Sequence, residues 1–225
     1  MKFIEELMLP FVGLKVFILQ LFWEKAIKKK YYGRPRFAGI DQAFLQSYLH
    51  VNPYRICRCF MEKRGAHRVH VYGETPLVVY DKMAFLWGLK PCDIFLELGC
   101  GRGRGLFFLS EIYRCHCIGI EWVEEFVDRT EKLIHTQGVT GVEVYHGDFL
   151  QKIPLQADFI YLYGCMLEDE EIVALCGLLK DQPSIAKIVT VSFALQEYDP
   201  EFRVQDNFKT RFPWGETEVF LNKRR

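Results

Sequence analysis

The chain has 225 residues, of which 50% are hydrophobic and 26% charged. That is enough apolar material for a sizeable core, which excludes a disordered chain and fits one α/β domain with an N-terminal extension. Its 29 Lys and Arg balance 29 Asp and Glu, so net charge supplies no argument for nucleic acid as partner.

The opening residues, MKFIEE, carry two glutamates where a secretory signal needs a basic region. The eight cysteines are therefore expected to be reduced thiols in a cytoplasmic protein. Residues 7–23 are nearly all apolar, interrupted by Pro10, Gly13, Lys15 and Gln20. As a helix they make about 25 Å, short of the ~30 Å hydrocarbon core, and Lys15 adds a further cost to insertion. The segment is expected to lie in a membrane interface as a peripheral contact or to pack on the main domain. Lys25, Lys28, Lys29, Lys30, Arg34 and Arg36 follow it, the flank of a membrane-surface anchor or of a solvated loop. Gly33 and Pro35 end any helix there, and residues 41–49 and 54–61 fit two more short helices. Residues 62–71 look like a basic linker, so residues 1–65 are assigned to the extension and 66–225 to the main domain.

From Tyr72 the pattern sharpens. Thr75 is expected to cap a helix with Pro76 at its first position, and Leu77, Tyr80, Met83, Ala84 and Trp87 recur at helical spacing. Short apolar runs at 94–98, 115–120, 142–145, 157–163 and 186–193 read as buried strands. They alternate with helices at 106–113, 123–135 and 168–179. Cys115 and Cys117 share one strand face, an ordinary place for buried thiols, and no metal is expected. Two β-rich runs, 202–212 and 217–221, flank Pro213-Trp214-Gly215 and read as an antiparallel hairpin at the sheet edge, with no convincing helix before them. The expected fold is a doubly wound, mostly parallel seven-stranded α/β sheet, Rossmann-like, with a C-terminal antiparallel hairpin and a helical N-terminal extension.

The loop after the first strand reads LELGCGRGRG, residues 96–105, with glycines at alternate positions. In a doubly wound sheet this loop lies where ligands bind, and glycines let the backbone turn and approach a ligand closely. A phosphate-binding P-loop needs Lys-Ser/Thr after its glycines, but Arg104-Gly105-Leu106 follows. The dinucleotide fingerprint needs a third glycine where Arg104 stands, and the shifted register lacks one too.

What fits is acid-x-Gly-x-Gly-x-Gly, from Glu97 through Gly99, Gly101 and Gly103. This resembles motif I of the class I S-adenosylmethionine-dependent methyltransferases, over about residues 72–221. The resemblance implies S-adenosyl-L-methionine as cofactor and Glu97 near its methionine ammonium. It places Glu121, with Trp122 after it, at the ribose, where a carboxylate accepts two hydrogen bonds from a diol. It places Asp148 and Phe149 at the adenine. Tyr72, Thr75 and Tyr163 complete the expected cofactor-binding set.

The superfamily keeps substrate-facing residues just after the fourth strand. That stretch, Tyr161-Leu162-Tyr163-Gly164-Cys165-Met166, lacks both the Pro-Pro motif of amino-methylating DNA enzymes and the Pro-Cys pair of cytosine C5 enzymes. The layout is also similar to the small lysine methyltransferases acting on ATP synthase c-subunits. The shared features are an apolar, basic-flanked N-terminus, Thr-Pro before the first helix, a domain without insertions and a Trp-containing hairpin. This implies N-methylation of a protein lysine, with Glu74 and Tyr163 as the catalytic candidates that orient or deprotonate the amine; a charge at a helix N-terminus is the plainer role for Glu74. RNA, bound through the basic stretches 25–36 and 55–68, is the alternative substrate. A non-catalytic scaffold that binds the cofactor is the alternative from outside the enzymes.

Overall fold

The computed structural model describes residues 2–66, 72–151, 153, 156–165 and 167–225, with side chains from Val16 onward. The end of the expected basic linker, residues 67–71, and Met166 after the fourth strand lie outside the described residues.

Seven strands form one sheet: β1 (Ile94–Leu98), β2 (His116–Glu121), β3 (Val142–His146), β4 (Phe159–Leu162), β5 (Lys187–Val191), β6 (Phe202–Phe212) and β7 (Gly215–Arg224). Their order is β3-β2-β1-β4-β5-β7-β6. Strands β1 to β5 pair in parallel, while β7 runs antiparallel to both β5 and β6. The order reverses between β1 and β4, so the crevice for a ligand opens at their carboxyl ends. In register, Leu98 lies opposite Leu162, so the loops after β1 and β4 leave the sheet side by side.

The helices are α1 (Lys2–Tyr31), α2 (Pro35–Ser47), α3 (Pro53–Lys63), α4 (Leu77–Leu86), α5 (Arg104–Tyr113), α6 (Glu124–Gln137) and α7 (Asp169–Leu179). Alternation along the central strands builds two cores. Phe95, Phe159 and Tyr161 face a cluster shared with α1 to α6, whereas Leu96, Leu98, Ile160 and Leu162 face a second cluster with α7. Both faces are covered, so these strands are continuous apolar runs; the edge strand β3 instead alternates buried and exposed residues.

One local detail differs from the expected one. Helix α4 begins at Leu77 with Pro76 as its N-cap residue, and the Thr75 hydroxyl makes no cap. It lies 2.5 Å from the Tyr161 hydroxyl instead, a buried partner on β4 that wins over the helix end. After β5 only a 3₁₀ turn forms, Leu195–Glu197. Buried Asn222 of β7 holds it: the Asn222 amide donates to Thr190 Oγ1 at 2.9 Å and accepts from the Leu195 N–H at 3.0 Å.

The extension packs on the first core through Ile27, Tyr31, Phe37, Phe44, Cys57 and Met61. Arg104 at the start of α5 ties it down. Its guanidinium meets Asp41 of α2 at 2.8 and 3.0 Å and grips both carboxylate oxygens of Glu24 on α1. Farther up α1, Phe17, Leu21 and Phe22 are exposed. Among the described residues no helix is long and apolar enough to cross a membrane.

Candidate active site

The loop after β1 turns through three left-handed glycines, with φ of 76° at Gly99, 54° at Gly101 and 72° at Gly103. A side chain at any of them would be strained, and a Cβ at Gly103 would come within 2.9 Å of Thr130. At Gly105 the need is space: a Cβ there would stand 2.5 Å from the Tyr80 ring. The alternate glycines thus bring bare main chain to the crevice and let α4 press against α5.

This loop borders a cavity of about 630 Å³, a size suited to a nucleoside cofactor with substrate beside it. The expected site residues converge on it: Tyr72, Glu74, Thr75, Glu97, Gly99, Gly101, Gly103, Glu121, Trp122, Asp148, Phe149 and Tyr163 all line its wall. Two elements not anticipated from the sequence join them. Helix α1 contributes Phe17, Leu21, Glu24 and Ile27, and Pro213 comes from the hairpin tip.

Glu97 is the penultimate residue of β1 and is 4% exposed. The Tyr80 hydroxyl of α4 donates to Oε1, while Oε2 has no hydrogen-bond partner among the described residues. Burial pushes this carboxyl up to about 8; the Tyr80 hydrogen bond lowers it, and the negative charges of Glu121 and Glu74 add to the rise. An orphaned acceptor in a cavity wall is costly unless a donor arrives, and a cationic ligand group is such a donor.

Glu121, at the end of β2, is also buried. Its Oε2 accepts from the Gly101 N–H at 2.7 Å and Oε1 from the Val123 N–H at 2.8 Å. Burial raises its carboxyl, and these backbone donors restrain the rise. Each oxygen keeps a second lone pair, so the group can still receive a diol. Asp148 follows β3, where its carboxylate accepts from the Leu150 N–H at 2.9 Å, and the Phe149 ring packs 3.7 Å from where a Cβ at Gly99 would be. Trp122 is partly exposed, with the Arg64 guanidinium 4.5 Å above its ring.

Glu74 is engaged. Arg102, inside the glycine loop, clamps it through two bonds of 2.5 Å, and the Tyr72 hydroxyl donates to it as well. Burial works to raise the Glu74 carboxyl, but the Arg102 fork overrides this and holds it below the ordinary range. Tyr163 is stacked parallel to Phe212, 5.8 Å between centroids, and touches Trp214 at 5.0 Å. Burial raises its hydroxyl far above the usual tyrosine range, so it keeps its proton.

Sequence reasoning passed over Arg102, Arg104 and Tyr80. The two arginines sit between the glycines of the motif, where their charge was the available signal. Tyr80 carried only a helical periodicity. Among the described residues no group of His, Cys, Asp and Glu is placed to hold a metal ion.

A family profile described as a methyltransferase domain matches residues 95–180. The chain is 25% identical over 159 residues to a histone-lysine N-methyltransferase, H3 lysine-79 specific, of Dictyostelium discoideum, a match to 64% of this chain and 8% of that protein. The structure is similar to TrmN from Thermus thermophilus (TM-score 0.58, 13% identity, 67% of this chain and 49% of that one). It is also similar to an RNA methyltransferase from Salinibacter ruber in complex with S-adenosyl-L-homocysteine (TM-score 0.56, 23% identity, 67% and 92%). The chain thus spans under a tenth of its curated relative and about half of the first of these solved structures. A sheet of this order, a glycine loop at its reversal point, an acid on each of the first two strands and these similarities identify a methyltransferase domain with the class I fold.

Proposed function

We propose that the protein N-methylates a lysine side chain of another protein. The observation that carries this reading is the charge of the cavity wall. Its acidic members are Glu24, Glu74, Glu97, Glu121, Asp148 and Glu171, against Lys28, Arg102 and Arg104. Both arginines are already neutralised by carboxylates. With Glu24 and Glu74 committed to those arginines, Glu121, Asp148 and Glu171, joined by Glu97 once it ionises, outnumber Lys28, and this field favours cations, such as a sulfonium and an alkylammonium, over a phosphate backbone. The histone-lysine relative supports the same substrate class by sequence, whereas the likeness to RNA enzymes is one of fold.

The basic stretch that would serve RNA is partly committed. Lys30 pairs with Asp81 at 2.7 Å, Arg34 donates to the Ile112 carbonyl at 3.1 Å, and Arg36 donates to the Gly138 carbonyl at 2.6 Å. These side chains fasten the extension to the domain.

In this reading Glu97 receives the methionine ammonium, the bare main chain at 99–103 lies along the amino-acid portion, Glu121 accepts from the ribose hydroxyls, and Asp148 and Phe149 border the adenine. The cofactor supplies an electrophilic methyl group. The protein aligns the amine with it and excludes water. A lysine arrives protonated and must lose that proton to water. Glu74, clamped and kept ionised by Arg102, then acts as a positioning group that fixes Tyr72 and the loop. Tyr163 acts as an aromatic wall.

The test is methyl-labelled S-adenosylmethionine given to the protein with separated protein and RNA fractions of a lysate, followed by mass spectrometry of labelled peptides. Methylated lysine is the expected product. Label confined to RNA would overturn the reading, and cofactor binding without any product would favour a scaffold.

A further inference from the structure

The hairpin tip carries an aromatic arrangement that cofactor binding does not account for. Phe212 ends β6 and is fully buried, while Trp214, two residues on, is 50% exposed. Their rings lie 4.4 Å apart, and both contact Tyr163 from the end of β4. Tyr163 is held from the other side by Gly73: a Cβ there would stand 2.8 Å from the Tyr163 ring, so only glycine lets the ring lie against that backbone. Between the two rings of the tip, Pro213 enters the cavity wall together with Tyr163. A large ring left half exposed, braced by two others at the edge of an acidic cavity, has the chemistry to receive an alkylammonium group: apolar area for the methylenes and a π-face for the charge.

We infer that Tyr163 and Trp214, braced by Phe212, form the entry groove for the substrate's alkylammonium side chain, with Trp214 as the specificity-determining residue. This rests on the lysine reading above. The groove adjoins the cavity wall, which Tyr163 and Pro213 both line. It gives the antiparallel hairpin a role in substrate choice, separate from the cofactor contacts on β1, β2 and β3.

The test uses analogues that need no knowledge of the substrate. S-adenosylhomocysteine is altered to carry nitrogen in place of sulfur and either an aminobutyl or a butyl arm on it. Calorimetry then compares the two arms on the full chain. The wild-type protein should bind the aminobutyl compound about tenfold more tightly than the butyl one, the scale of a partly desolvated cation–π contact. Trp214→Ala should lose most of that preference while binding unmodified S-adenosylhomocysteine within about twofold of wild type. Trp214→Phe should keep an intermediate preference.

No preference in the wild-type protein would sink the lysine reading and this inference together. A wild-type preference that survives in Trp214→Ala would overturn this inference alone. A loss in Trp214→Ala that is equal for both arms and for unmodified S-adenosylhomocysteine would make the tip a support of the cofactor site and also overturn it. Tight binding of a short single-stranded RNA, lost in Trp214→Ala, would assign the ring to base stacking and count against it as well.

Discussion

Glu97 is buried with one oxygen held by Tyr80 and the other without a hydrogen-bond partner among the described residues, and its carboxyl is pushed up to about 8. The sign of the resulting pH dependence follows from linkage. A cationic ammonium binds the carboxylate, so below about 8 the cofactor must displace a proton. Affinity for S-adenosylhomocysteine is expected to fall by up to about tenfold per pH unit below that point. Titrations in buffers of different ionisation enthalpy will show one proton released on binding; Glu97→Gln should bind weakly at every pH, with the proton release gone. Because the folded value lies above the ordinary 4.5, the stability linked to this group is full below that value and is lost as pH rises toward 8. The cofactor-free protein is thus expected to be less stable at pH ~8 than at pH ~6, other groups being equal. Glu121 differs, since its oxygens already accept from Gly101 and Val123. Glu121→Gln keeps an acceptor for one of these donors. It should cost about 1.5–3 kcal/mol of cofactor binding, the scale for hydrogen bonds to a charged group, and a calorimetric affinity equal to wild type would remove Glu121 from the site. Both acids stand near strand ends, Glu97 within the glycine motif and Glu121 at the end of β2, where position along the chain nearly determines position in space. The partners Tyr80 and Arg102 were not legible, because which side chain meets a buried carboxylate depends on how α4 packs against the loop.

At the scale of elements, the central parallel strands were readable because burial on both faces makes them largely apolar runs. Strand β1 falls at the expected residues, 94–98. The start of α4 was misplaced by one residue, because Thr75 has a tertiary partner in Tyr161 that a local capping rule does not see. The attachment of the extension was harder to read. Charges that look solvated in the sequence are matched in space, above all at Arg104, where Glu24 and Asp41 come from two different helices. Asp41 is 2% exposed, so losing the arginine would leave a buried carboxylate with the Tyr32 hydroxyl but without its counter-ion. Arg104→Leu is expected to cost about 3–5 kcal/mol in urea unfolding and to make the chain near Glu24 more sensitive to protease. Arg104→Lys should recover little of this, since one ammonium cannot span two carboxylates as a fork does. A second element-level constraint lies in β2, where a Cβ at Gly119 would stand 2.5 Å from Cys100 Sγ and 2.7 Å from Leu106. Gly119→Ala should cost about 1–3 kcal/mol through overpacking, read as a lower urea midpoint with unchanged slope.

Across the whole molecule the cavity lies at the sheet's reversal point and draws its wall from both cores. Tyr72, Tyr80 and Ile27 belong to the first, while Leu98, Phe149 and Leu162 belong to the second. A ligand filling it touches α1, the glycine loop, the ends of β1, β2 and β4 and the hairpin tip, so its binding free energy is spread over the entire fold. If the chain unfolds as one unit, S-adenosylhomocysteine at a hundred times its dissociation constant should add about 2.7 kcal/mol of stability. For a chain of this length that raises the melting temperature by roughly 5–10 °C. The two scales meet here, because Glu97 sets the pH dependence of that shift. The ligand should stabilise more at pH ~8, where the carboxylate is already ionised, than at pH ~6, where part of the binding energy goes into removing a proton. Glu97→Gln should show a smaller shift with the pH dependence removed, whereas Glu121→Gln should show a smaller shift with the dependence kept. A melting temperature unmoved by the ligand at either pH, in a protein whose glycine loop is intact, would contradict the placement of the cofactor in this cavity.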